Sequence, residues 1–492
     1  MAARTSHTPR PGGALALAAA LATMLGGCTL APRYDRPPAP VAAAYPDPPP
    51  GFAEPLARDT RAATDIGWRE FFRDPRLQAL IAAALDNNRD LRIATLRIEE
   101  AHALYQVQRA DLLPQLDATA GATRQRLSAA QPPGGQRGIR QTYQAGGGVA
   151  AYELDLFGRV RSLSNAALAQ YAATEEARRA AQLSLVAEVA TGYLAERSYA
   201  EQADIARATL DARERALALS QRRFGSGTAS ALEVQDNASL VAQARVASAE
   251  LARQRAQAQN ALEVLTGTPL GAIVGLPDAL ALSDQGVTTD LPAGLPSALL
   301  AQRPDIRQAE QELLSANAII GAARAAFFPR ITLTATAGSI SPTLASLFEA
   351  GTGTWLFSPQ LVLPVFNVGR NRAGLDLAQT RKQIQVAAYE RAVQAAFRDV
   401  ADALAARATL QEQVAAQMAV RDAEAARVRL AGQRWCSGVT GQLESLDAQR
   451  QLLAAEQALV QARERRLVNA VALYRALGGG LREYRGTAAP LG

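Results

Sequence analysis

Arg223-Phe-Gly-Ser-Gly-Thr-Ala-Ser-Ala-Leu-Glu-Val-Gln-Asp236 and Arg434-Trp-Cys-Ser-Gly-Val-Thr-Gly-Gln-Leu-Glu-Ser-Leu-Asp447 are one motif written twice. The Arg, the aromatic residue, Ser-Gly, Leu-Glu and the Asp fall in register, at an offset of roughly 210 residues. Two further anchors share this offset. Asn88-Arg-Asp-Leu-Arg92 runs on to Leu113-Pro114 as Arg303-Pro-Asp-Ile-Arg307 runs on to Phe328-Pro329, and Leu168-Ala-Gln170 matches Leu377-Ala-Gln379. Two copies are too few for a stacked solenoid, so the chain is a duplicated unit.

Each doubled motif sits in a stretch without proline, between Pro133 and Pro269 and between Pro364 and Pro490. Alanine, leucine, arginine, glutamine and glutamate dominate there, so helices are expected over 161–224 and 373–435, each on the order of 95 Å long. Shorter return helices are expected over 231–265 and 442–477. Ser226-Gly227 and Ser437-Gly438 mark the turns. Heptad spacing at Ala203, Leu210, Leu217 and Phe224, and at Leu446, Leu453, Val460, Leu467 and Tyr474, predicts a coiled-coil seam. Helices over 76–113 and 303–327 are expected to stack end to end on the return helices, so that two short helices cover one long one.

Between the helices lie rows with a period of two. Leu116, Ala118, Ala120 and Ala122 alternate with polar residues or glycine, as do Ile331, Leu333, Ala335 and Ala337. Trp355, Phe357, Leu361, Leu363 and Val365 form a third row, and residues 143–156 a weaker fourth. Each is about the length of a tilted membrane-crossing strand with one lipid-facing side. Exposed loops are expected at 132–135 and 341–353. A small soluble sheet fits any one hairpin equally well. Four strands cannot close a barrel, however, and an open edge is not tolerated in hydrocarbon. Membrane strands therefore require several copies: two give eight strands and three give twelve.

Residues 1–27 read as a leader with a basic start, an apolar stretch too short to span a bilayer, and Leu25-Gly-Gly-Cys28 at its end. Leu-Gly-Gly-Cys resembles a lipobox, which makes Cys28 the expected acylated N-terminus, and Thr29 beside it points to the outer membrane. The prolines that follow, up to Pro55, predict an extended tether that lets the anchored end reach away from the body. Cys436 is then the one remaining cysteine, so no disulfide framework is expected.

Of the formal charge of +6, Arg4 and Arg10 belong to the leader, and the remainder is spread over 492 residues. That does not argue for nucleic acid. His7 and His102 are the only histidines, which excludes clustered-histidine metal sites and histidine triads. The glycine groups at 146–148 and 225–227 lack the Lys-Ser/Thr context of a phosphate loop. No enzyme, metal or soluble cofactor is expected, and energy for any transport comes from a partner.

Leu295-Pro-Ser-Ala-Leu-Leu-Ala-Gln-Arg-Pro-Asp-Ile-Arg-Gln-Ala-Glu310, followed by Asn317-Ala-Ile-Ile-Gly-Ala-Ala-Arg-Ala-Ala-Phe-Phe-Pro329, closely resembles the signature of outer-membrane efflux lipoproteins of the TolC-like superfamily, NodT type. Tyr152-Glu-Leu-Asp-Leu-Phe-Gly158, Leu446-Asp-Ala-Gln-Arg450 and Leu473-Tyr-Arg-Ala-Leu-Gly-Gly-Gly480 resemble other blocks of the family. The resemblance implies a mainly α fold with membrane β structure. A homotrimer makes a 12-stranded outer-membrane β-barrel from four strands per chain, continuous with a 12-helix periplasmic α-barrel and a small equatorial domain.

On that plan the signal peptide covers 1–27 and the acylated tether 28–64. An equatorial lead-in and periplasmic helix follow at 65–113, the first barrel hairpin at 114–157 and the first coiled-coil hairpin at 158–267. The equatorial linker covers 268–300, a second periplasmic helix 301–328, the second barrel hairpin 329–366, the second coiled-coil hairpin 367–478 and a tail 479–492. The resemblance further implies the exit duct of a tripartite pump with a periplasmic adaptor and an inner-membrane RND transporter.

Matched to the family's periplasmic constriction, Leu443, Asp447 and Arg450 are gate candidates, with Leu232, Asp236 and Ser239 in the first copy. Spacings of four and three place each set on one helix face; the bland alternative is a solvated polar face. Gly225, Ser226, Gly227, Ser437 and Gly438 are the expected adaptor-docking tips. Cys436 stands where the first copy has Gly225, as an unpaired thiol or one that pairs with another subunit. A protein-secretion duct and an envelope scaffold remain the competing readings.

Overall fold

The computed structural model describes residues 29–52, 61–127, 138–289, 291–439 and 441–483. The leader, Cys28 and the loop at 132–135 lie outside them. The chain divides into two compact units, one of residues up to 37, 98–173 and 309–389, the other of 38–97, 174–308 and 390 onward.

The first unit holds a single antiparallel sheet of β1 (Leu116–Leu127), β2 (Gly138–Leu154), β3 (Arg330–Ser341) and β4 (Gly353–Val362), in that order. Its register carries the alternation across the sheet. Leu116 pairs with Val149, Val149 with Ala335, Ala335 with Phe357, and Ile331 with Leu361, so the small and apolar side chains share one face. Leu363 and Val365 fall beyond β4, which ends at Val362. β2 starts earlier than expected and is bent by a bulge between Val149 and Tyr152, where Ala151 has φ 56°.

Glycine is required where β2 meets β3. A Cβ on Gly146 would lie 2.5 Å from the Ala337 carbonyl oxygen, and one on Gly338 would lie 2.3 Å from that of Ala145. The two face each other across the seam, in the row opposite Val149 and Ala335, where the backbones approach too closely for a side chain.

The helices are α1 (Trp68–Phe71), α2 (Pro75–Asn87), α3 (Arg89–Ala110), α4 (Arg159–Gly225), α5 (Ala231–Thr266), α6 (Pro296–Gln302), α7 (Pro304–Ala325), α8 (Val368–Cys436) and α9 (Gln442–Ala476). α4 and α8, of 67 and 69 residues, run unbroken, as their proline-free composition requires. No helix among the described residues is long and apolar enough to cross a membrane.

The single helix expected over 76–113 is two helices, broken at Asn88, whose ψ of 130° is not helical. Its side chain stabilises the break from both sides: Oδ1 accepts from the Leu91 N–H at 2.9 Å, and Nδ2 donates to the Leu265 carbonyl at 2.9 Å. Arg303, its counterpart in the second copy, separates α6 from α7 and donates to the Ala476 carbonyl at 3.2 Å. In both repeats, then, the return helix ends on the break before the next helix. This is the expected end-on stacking, made by side chains that satisfy helix-terminal carbonyls.

In the second unit the root of the helical hairpins is the best packed. Trp68, Phe71 and Phe72 are buried around Tyr474, which stacks on Phe71 at 3.9 Å and donates its hydroxyl to the Ile66 carbonyl at 2.6 Å. Along the expected seam Ala203, Val460, Leu467 and Tyr474 are buried, whereas Phe224 is exposed. Near the tips, Asn237, Ala431 and Ala448 are buried between the arms, so the hairpins are packed along their length, with side chains such as Phe224 exposed at the very tip.

The tether departs most from expectation. Thr29 to Arg36 do not extend away from the first unit but lie against α7, where Arg36 makes a bidentate pair with Glu310 at 2.7 Å. In the second unit Tyr45 stacks on Phe397 at 5.2 Å, and burial pushes its hydroxyl pKa up to about 12. Proline keeps the segment extended, but partners far away in sequence decide where it goes.

Candidate functional site

The tips are built alike. In the first, the Gly227 N–H donates to the Phe224 carbonyl and the Thr228 N–H to the Arg223 carbonyl; in the second, Gly438 and Val439 donate to Trp435 and Arg434. This pattern satisfies the last carbonyls of α4 and α8 and needs a left-handed residue, supplied by Gly227 (φ 78°) and Gly438 (φ 73°). The Arg and Glu of the doubled motif bridge each turn, Arg223 to Glu233 at 3.0 Å and Arg434 to Glu444 at 3.5 Å. The first return helix is also capped, by Ser230 Oγ accepting from the Glu233 N–H, whereas Gly441 at the same place in the second offers no side chain. Gly225, Ser226, Gly227, Ser437 and Gly438 are all exposed, as is the free thiol of Cys436.

Behind the tips, Asp236, Ser239, Leu240, Leu443, Leu446, Asp447 and Arg450 line one groove of about 270 Å³. It brings the two repeats' candidates together within one chain. Leu232 is not part of it; its side chain is 70% exposed and Leu443 is 80% exposed, so both leucines present apolar surface to solvent.

The two aspartates differ. Asp447 is clamped, accepting at Oδ1 from Arg450 at 2.7 Å and at Oδ2 from Arg427 at 2.8 Å. The Arg427 hydrogen bond, with Arg450 behind it, holds the Asp447 carboxyl below the usual carboxylate range. Asp236 lines the groove with Ser239 and has no ion pair among the described residues. Arg427 was not among the residues picked from the sequence. It lies twenty residues before Asp447, on the opposite arm of the hairpin, and its counterpart in the first copy is Ala216. Counting outward from the Ser437 turn would have found it. Among the described residues no cluster of His, Cys, Asp and Glu is arranged to hold a metal ion.

A family model described as outer membrane efflux protein matches the chain at residues 80–268 and again at 295–479, once per repeat. The chain belongs to the outer membrane efflux protein family. It is 47% identical over 475 residues, 96% of either chain, to the probable efflux pump outer membrane protein TtgC of Pseudomonas putida. It has the same identity and coverage with the antibiotic efflux pump outer membrane protein ArpC of Pseudomonas putida. The open-state MtrE outer membrane channel of Neisseria gonorrhoeae superposes with a TM-score of 0.84 at 43% identity, covering 94% of this chain and 100% of MtrE. As an outer membrane efflux protein the chain is an outer-membrane channel component of an efflux pump on the TolC-like fold: mainly helical, with a four-stranded antiparallel sheet.

Proposed function

We propose that three copies of this chain form the exit duct of a tripartite pump, passing small molecules from an inner-membrane RND transporter and a periplasmic adaptor to the exterior. The observation that carries this is the open sheet. β1 and β4 are the outer strands, each paired on one side and with no strand on its other edge among the described residues, and one face carries the row of Leu116, Val149, Ala335 and Phe357. In hydrocarbon, such edges must be closed by other copies. The flanking helices agree, since α3 exposes Leu104 and Val107 while α8 exposes Leu377 and Ile384. These stripes lie on the helices that adjoin the two edge strands, so a neighbouring copy covers both together.

Cys28 carries the lipid, the exposed tip residues at Gly225 to Gly227 and at Ser437 and Gly438 dock the adaptor, and the groove behind them is the gate. Leu232 and Leu443 narrow the mouth, Asp236 and Asp447 set its charge, and Arg427 and Arg450 clamp the second aspartate. The antibiotic role in ArpC's name supports small molecules as cargo. The chain itself supplies a path and no energy source. Reconstitution of the purified protein in planar bilayers tests the reading: discrete ion-conducting steps are expected, and an oligomer that conducts nothing would return the scaffold reading.

A further inference from the structure

The segments that carry strand into helix in the first unit enclose a cavity of about 460 Å³, a size that takes a small molecule. Its walls come from 153–159 between β2 and α4, 325–330 between α7 and β3, and 362–371 between β4 and α8. Two contacts fix these walls: Phe157 stacks on Phe328 at 4.6 Å, and Asn371 Nδ2 donates to the Ala326 carbonyl at 2.8 Å. The cavity is therefore formed before any ligand arrives.

Strand parity gives its face. Ala335 pairs with Phe357 in the apolar row, and Arg330 lies five residues before Ala335, so it belongs to the other face. Glu153 shares that face, because it pairs with Thr332. Further along the same face β3 carries Thr334, Thr336 and Gly338, none of them charged, so the charge gathers at the cavity.

The charges there are unequally matched. Both Glu153 oxygens accept from Arg159, at 2.7 and 2.8 Å, and Asp155 Oδ2 accepts from the Arg161 backbone N–H at 2.8 Å. Asp155 Oδ1 is buried and has no hydrogen-bond partner among the described residues. Arg330 and Arg370 are exposed and form no ion pair among the described residues. The cavity thus offers two guanidiniums that lack a carboxylate and one carboxylate oxygen that lacks a donor, beside the exposed ring of Phe328. A buried oxygen without a donor is unfavourable until a ligand supplies one.

We propose that this cavity binds small aromatic zwitterions: Arg330 and Arg370 take the carboxylate, Asp155 takes the ammonium, and the ring rests on Phe328. The proposal rests on the reading of the chain as a duct whose apolar row faces lipid, which turns the cavity toward the bore. It adds to that reading a place where cargo pauses.

Calorimetry on the purified full-length protein tests it with free phenylalanine, with 3-phenylpropionate, which lacks the ammonium, and with phenethylamine, which lacks the carboxylate. Phenylalanine is expected to bind about tenfold more tightly than either. Arg330→Gln combined with Arg370→Gln should weaken phenylalanine and 3-phenylpropionate about tenfold and leave phenethylamine unchanged. Asp155→Asn should weaken phenylalanine and phenethylamine but spare 3-phenylpropionate, whose unchanged binding also shows that the variant is folded. If Asp155→Asn does not fold, the arginine pair decides. Phenylalanine that does not bind, binds no more tightly than 3-phenylpropionate, or binds the arginine double variant as well as wild type overturns the site. In planar bilayers phenylalanine should lower the conductance of wild type and not of the double variant; a conducting channel that binds phenylalanine without any block overturns the site's place on the path. A protein that binds phenylalanine but never conducts overturns the duct reading alone.

Discussion

In the proposed gate, Asp447 is the side chain that ties the two arms of the second hairpin together through Arg427, with Arg450 as its second partner. Two guanidiniums hold it ionised, so the clamp persists at ordinary pH and is lost only as pH falls through a carboxyl pKa already below the usual 3.8. Single-channel conductance of the wild type should therefore be flat from pH 7 to 5, and any acid-induced rise should begin at higher pH in Arg427→Ala. A wild-type rise already near pH 6 would point to a different gating group. Replacing Asp447 and Arg450 together with alanine should raise conductance at pH 7 by about twofold or more, since a ring of paired charges is removed from the mouth. Unchanged conductance would leave these residues as a solvated surface. The Asp447 and Arg450 pairing was legible, because a spacing of three puts both on one helix face. Arg427 was not, because it sits across a turn whose register only the fold fixes.

The long helices were legible for a simple reason: proline-free, alanine-rich sequence leaves little alternative to helix. Their ends were legible from Ser-Gly, and the left-handed glycines there should matter locally. Gly227→Ala and Gly438→Ala should each cost about 1 kcal/mol, visible as faster amide hydrogen exchange over the tip with the root unchanged. The break at Asn88 was missed because no Gly or Pro marks it. Asparagine acts there by capping one helix while binding the end of another, a contact 177 residues away. The strands were legible as rows, but the β2–β3 seam was not, since close approach of two backbones leaves only glycine as its trace. Gly338→Ala should lose about 1–3 kcal/mol of sheet stability through overpacking, read as loss of the heat-resistant oligomer band in membranes. The docked tether was misread for the same reason as Arg427: Arg36 and Glu310 are 274 residues apart.

Duplication and incompleteness are one property of this chain. Each repeat supplies a hairpin of strands, a long helix and a return helix. The two hairpins join through Gly146 and Gly338 into one sheet that still has two edges. Apolar stripes on α3 and α8, beside those edges, leave surface that one copy cannot cover. On the proposed reading, three copies of four strands close the barrel. Native mass spectrometry of the full-length protein extracted from outer membranes is the sharpest test: the expected species is three acylated chains, and a stable monomer or dimer as the dominant species would contradict closure by three.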